Sequence, residues 1–169
     1  METKVIPIFV RHMAERAGLA GEDMTYEDLV WHARTHIRNM DTRPEIVCGP
    51  ITTGGFKHPG YNVLLFNHAI ELLMLEGRPI FNQIPYEFQL ARLESVWKRT
   101  NSEEYCHPIL TEFYQPLFAA DLFERAWFLP GWEKSVGASW EHTYLKKVGC
   151  TIQYLPEDWI YTLDVSGMK

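Results

Sequence analysis

The chain has 169 residues, 46% of them hydrophobic, which suits one domain with a sizeable core. A formal net charge of −6 argues against a binder of polymeric nucleic acid, which needs a basic face, but leaves a single nucleoside or nucleotide open. Cys48, Cys106 and Cys150 are odd in number and widely spaced, which disfavours both a disulfide framework and a zinc site.

Residues 1–43 read as an N-terminal helical extension. Pro7 can start a helix with Phe9, Val10 and Met13 among its apolar positions, and Gly18 ends it. Thr25 followed by Asp28 resembles a capping box and opens a second helix with Leu29, Val30, Ala33 and Ile37 on one side. The expected role is a cover for the domain or for a partner subunit. His32 and His36 are four apart on this helix, a spacing that can hold zinc, but no third ligand is evident and a surface pair is the plainer reading. No metal and no cofactor is expected.

From Pro44 the chain alternates strand and helix. Glu45 to Ile51 is a short apolar run, Asn62 to Glu76 has helical spacing closed by Gly77, and Pro79 to Ile84 is a second strand candidate ended by Pro85. Residues 86–100 and 108–123 are helical in pattern. Arg125 to Leu129 is a third strand, 135–148 a helix and Thr151 to Leu155 a fourth strand. This alternation predicts a parallel sheet covered on both faces, with ligands at the carboxyl ends of its strands. No apolar run reaches membrane-spanning length and no apolar signal segment opens the chain, so a soluble cytoplasmic protein with no membrane partner is expected.

The carboxyl ends carry the candidate site. The first loop holds Gly49, Pro50, Ile51, Thr52, Gly54 and Gly55, with glycines for close approach and hydroxyls for hydrogen bonding. No Gly-Lys-Ser/Thr follows it, so it is no P-loop. After the third strand, Leu129-Pro130-Gly131-Trp132 breaks the chain and Ser135 caps the next helix. Ala138, Leu145 and Val148 form a core-facing stripe on that helix, and Glu141 falls in the same stripe. Gly137 lies one turn earlier and leaves room beside it. An acid on the inner face near a helix start points to a ligand site, although a Ser cap and an acid favouring the helix dipole are ordinary features. Glu124 stands just before the third strand, where it can act in the site or pair with Arg125; Trp132 can be a core or a lid residue. No Gly-x-Ser-x-Gly elbow is present.

Together these pieces resemble the nucleoside 2-deoxyribosyltransferase-like superfamily over roughly Glu45 to Pro156. The shared elements run in order: Gly49-Pro50-Ile51-Thr52 with Gly54-Gly55, then Asn62 and Phe66, Asn82, Leu129-Pro130-Gly131-Trp132, and Ser135, Gly137 and Glu141 as Ser-x-Gly-x-x-x-Glu. The last is the most specific. The resemblance implies a flavodoxin/Rossmann-like three-layer α/β fold over 44–169, with a four- to five-stranded parallel sheet. It implies N-glycosidic cleavage or base exchange on a (deoxy)nucleoside or its 5′-monophosphate, and a homodimer or higher homo-oligomer. Glu141 would be the nucleophile and Glu124 would orient or protonate. The first loop, Asn82, Trp132, Ser135 and Gly137 would bind substrate. Departures are Glu124 and Pro116 where many relatives carry Asp, and Thr52 where the nucleotide hydrolases tend to carry Arg. The alternatives are an inactive nucleotide-binding or interaction module on the same fold, and a flavodoxin-like protein for another phosphorylated ligand.

Overall fold

Pro7 and Thr25 start the first two helices, as the capping residues predict. Helix α1 spans Ile8–Arg16 and ends in a left-handed Gly18. Helix α2 spans Tyr26–Arg38 behind a complete Thr25–Asp28 capping box. The computed structural model describes residues 6–21, 23–51 and 59–161. Within them follow β1 (Glu45–Cys48), α3 (Pro59–Leu75), a 3-10 turn (Ile84–Tyr86) and α4 (Glu87–Trp97). A π-helix (Ile109–Tyr114) then runs into α5 (Gln115–Ala119). The chain continues through β2 (Arg125–Phe128), a 3-10 turn (Trp132–Lys134), α6 (Val136–Lys147), β3 (Thr151–Tyr154) and α7 (Asp158–Tyr161).

The protein is a mixed α/β fold on a parallel sheet of three strands, in the order β1-β2-β3. Glu45 stands opposite Arg125 in the first pair, and Arg125 opposite Thr151 in the second. The strand expected over Pro79 to Ile84 shrinks to a single parallel bridge between Glu45 and Ile80 on the outer side of β1. Local chemistry explains the shortening. The Asn82 side-chain oxygen accepts from the Ile84 amide at 3.0 Å, and Pro85 then sets the φ of a helical turn, so the extended backbone stops at Phe81. The Gln83 amide donates to the Val47 carbonyl instead, standing in for the missing backbone rung.

Two cores flank the sheet. Ile46, Cys48, Ala126 and Phe128 face one cluster with α2, the π-helix and Leu145 of α6. Val47 faces another, built largely by Val63, Phe66, Ile70 and Leu73 of α3. The N-terminal helices enter these same cores: Ala14 and Leu29 join the first and Val10 the second. Gln89 of α4 donates to the Leu19 carbonyl at 2.8 Å and fastens the link between α1 and α2. The helix expected over 108–123 is broken in character. It opens as a π-helix, continues as α5 only to Ala119, and ends at Asp121, a non-glycine residue with φ +50° held by Arg43.

Candidate functional site

The bridge at Ile80 lies on one side of β1 and β2 on the other, so successive connections leave β1 in opposite directions. A crevice opens outside the carboxyl ends of adjacent parallel strands where this happens. A cleft stands there, between Gly49 and Ile51 after β1 and Ser135, Gly137, Ala138 and Glu141 of α6 and its cap. Phe66 of α3 and Glu87 of α4 add to the wall, as do Tyr105, Ile109, Leu110 and Tyr114. The free space enclosed is ≈ 40 Å³, room for about three water molecules.

Helix α6 turns Glu141 inward as its stripe predicts. Gly137, Ala138, Glu141 and Leu145 are its buried residues, and the Ser135 side chain accepts from the Ala138 amide at 3.3 Å. Glu141 is only 7% exposed. Burial pushes its carboxyl up from the ordinary range to about 8, and the charge of Glu87 adds to the rise. The Cys48 thiol, at the end of β1, donates toward this carboxylate and works the other way. Burial likewise holds the Tyr105 and Tyr114 hydroxyls well above the usual phenol range, with both Glu87 and Glu141 contributing. Among the described lining residues there is no Lys, Arg or His.

Five of the residues expected from the sequence therefore meet here: Gly49, Ile51, Ser135, Gly137 and Glu141. Gly49 is required by close packing, because a Cβ there would stand 2.6 Å from Leu129 Cδ1. Pro50 is buried beside it but does not line the cleft. Thr52, Gly54 and Gly55 lie outside the described residues. The space expected at Gly137 is not empty. A Cβ there would fall 2.5 Å from the Tyr105 hydroxyl, so the missing side chain admits a phenol from the 101–107 loop.

Three expectations are corrected. Glu124 is exposed and precedes β2, which puts it at the amino edge of the sheet. Five residue steps along the four-residue strand, roughly 16 Å, separate it from Leu129 at the carboxyl edge. Asn82 is spent on its local turn and does not reach the cleft. Trp132 stacks on His142, with ring centroids 4.0 Å apart, and lies near-parallel to Tyr154. It borders a separate open groove running from Phe128 to Lys134 and from Tyr154 to Glu157, because left-handed Gly131 (φ +79°) swings the chain away.

Neither Pro116, where the resembling superfamily often carries Asp, nor the nearby acids Glu112 and Asp121 offer a substitute. Pro116 gives its carbonyl to Arg34, Glu112 is exposed, and Asp121 is bound by Arg43. The histidine pair is engaged with aromatic neighbours: His32 Nδ1 lies 2.9 Å from the Tyr86 hydroxyl and His36 packs edge-on to Phe81. Sequence reasoning missed Glu87, Tyr105, Tyr114 and Cys48. For Glu87 the signal was present, since Glu87, Leu90, Ala91 and Glu94 follow helical spacing and all are buried in α4. No membrane-length apolar helix occurs among the described residues. Compared with protein-family models, curated proteins and solved structures, the chain matches none.

Proposed function

We propose that the protein cleaves or exchanges the N-glycosidic bond of a (deoxy)nucleoside or nucleoside 5′-monophosphate, with Glu141 as nucleophile. The observation that carries this is Glu141 itself: a carboxyl group buried at the cleft wall, on a helix capped by Ser135, facing a crevice at the carboxyl ends of β1 and β2. The order bridge-β1-β2-β3 agrees with a flavodoxin-like doubly wound sheet in which the second strand is reduced to one bridge. Ser135, Gly137 and Glu141 keep the spacing on which the sequence resemblance rests.

In this mechanism an ionised Glu141 oxygen bonds to C1′ as the C1′–N bond breaks. The electron pair leaves with the base, which takes a proton from solvent. Water then attacks C1′ and releases the sugar in a hydrolase, whereas a second base does so in a transferase. Glu124 has no part, given its place at the other edge of the sheet. A carboxyl raised to about 8 holds its proton near neutrality, so deprotonation precedes attack. The test is base release from a mixed pool of nucleosides and 5′-monophosphates, followed by mass spectrometry. Free base from the wild type and none from Glu141→Ala is the expected result; equal release from both overturns the mechanism.

A second reading, an inactive binding or interaction module, draws on a different observation. The cleft is narrow and Tyr105 fills the space above Gly137, so a sugar enters only if the wall yields. That reading expects a nucleotide to bind with no base released.

A further inference from the structure

Cys48 closes β1 and is buried. With Ile46 it faces the first core, where Leu145 of α6 also stands, because alternate residues of a strand share a side. Glu141 lies one turn before Leu145 on the inward stripe of α6, so helix periodicity brings its carboxyl to the end of β1. The two side chains meet there in a hydrogen bond. Tyr105 from the 101–107 segment, Tyr114 from the π-helix and Glu87 from α4 also face the carboxyl, and each is coupled to it through charge.

A carboxylate offers two equivalent oxygens, and nothing in its own side chain fixes which of them a substrate meets. A donor anchored in the sheet does fix it. The thiol serves as donor only while it keeps its proton. Burial and the Glu141 charge push the Cys48 thiol well above its usual range, whereas the carboxyl ionises at about 8. The donor therefore outlasts the ionisation that it assists, and a hydrogen bond to the charged form favours that form.

We propose that Cys48 is a positioning residue, whose thiol holds one oxygen of the Glu141 carboxylate and leaves the other turned to the cleft for C1′. This rests on the glycosidase reading and deepens it.

The experiment uses the full chain as wild type, Cys48→Ala and Cys48→Ser. Ionisation of Glu141 is followed by carbon NMR of glutamate-labelled protein, with Glu141→Gln identifying the signal. Base release from the mixed nucleosides and 5′-monophosphates is followed against pH. Loss of the donor in C48A should raise the midpoint of both curves by about one pH unit, the scale of one hydrogen bond to a charged group. A hydroxyl donates where the thiol did, so C48S should return the midpoint to the wild-type value or below. Compared at equal ionised fraction, kcat should fall about tenfold in C48A with KM changed less than about twofold, and C48S should recover most of the loss. A cysteine that merely fills space would leave the midpoint unmoved in both variants. The midpoints belong to folded molecules, so a lower folded yield does not shift them. An unmoved midpoint in C48A, a C48S midpoint that follows C48A, or a loss carried by KM overturns the proposal. The expected NMR shift in a protein whose wild type releases no base upholds the thiol's hold on Glu141 and overturns the glycosidase reading. Base release that depends on Glu141, with no shift in C48A, upholds the glycosidase reading and overturns the role of Cys48.

Discussion

The two edges of the sheet treat a buried acid in opposite ways. At the amino edge Glu45, 4% exposed, accepts from Arg125 at 3.2 Å, from Arg78 at 3.5 Å and from the Trp127 indole at 2.6 Å. Both guanidinium groups also lie over the Trp127 ring, 5.1 and 5.6 Å from its centre. At the carboxyl edge Glu141 meets a thiol, phenols and a second acid. An acid enclosed by two guanidinium groups and an indole donor ties strand to strand and serves the fold. An acid left with neutral donors in a low dielectric holds its proton dearly, a state that costs stability and is found where chemistry is done.

Removing each acid should therefore have unlike consequences. Glu141→Gln should lower base release by at least about a thousandfold, since loss of a nucleophile removes a whole mechanistic step, while circular dichroism stays native. A residual rate within tenfold of wild type would transfer the nucleophile's role elsewhere. Glu45→Ala should do the reverse. Breaking a buried ion pair strands its partners, and because Arg78 and Arg125 are partly exposed the loss should be about 2–3 kcal/mol in urea unfolding. The catalytic rate per folded molecule should not change.

The pH dependence follows in sign from the raised Glu141 carboxyl. Its folded value of about 8 lies above the unfolded 4.5, so its stabilising share is full below about pH 4.5 and is lost as pH climbs through 8. Thermal melts should show wild type losing roughly 2–4 kcal/mol across this window relative to Glu141→Gln. The groups facing the carboxyl are Cys48, Glu87, Tyr105 and Tyr114; of these the Glu87 charge is what substitution to Gln would remove, drawing the window downward. Parallel curves for wild type and E141Q would show that the carboxyl is not buried. In turnover the sign is opposite: kcat/KM should rise with pH up to about 8, because attack needs the ionised form.

The smallest effect concerns Gly137. Gly137→Ala pushes a methyl group against the Tyr105 hydroxyl and should cost about 1–2 kcal/mol. Tyr105→Phe in the same chain should recover part of that, and a double-mutant cycle measures the coupling. Strict additivity would mean that the phenol does not sit over the glycine.

Where the sequence was legible, a pattern and its physical cause were both local. The Thr25–Asp28 box, the Ser135 cap and the inward turn of Glu141 depend on neighbours within one or two turns. Glu87 is as readable by the same logic, an acid in step with Leu90 and Ala91, although helical spacing over 86–100 does not by itself single it out. Tyr105 has no such signature. It lies in a polar loop, and its position over Gly137 is decided by how the 101–107 segment meets α6. Glu124 failed for another reason: adjacency to a strand says nothing until the strand's direction is considered, and a parallel strand's first residue faces away from where ligands gather. The second strand is shorter than its apolar run because Asn82 turns the chain within that run.

The Gln83 amide on the Val47 carbonyl has a consequence for association. An edge strand invites foreign strands through its unused backbone groups, and proteins protect such rims with short edges and coverings. Here the outer rim of β1 is met by Pro79 and Phe81 at Glu45 and by a side chain at Val47, so a stray strand finds its acceptors taken. Within the described residues that leaves β3, whose Thr151, Gln153 and Tyr154 are exposed, as the rim from which strand-by-strand growth of aggregates would begin.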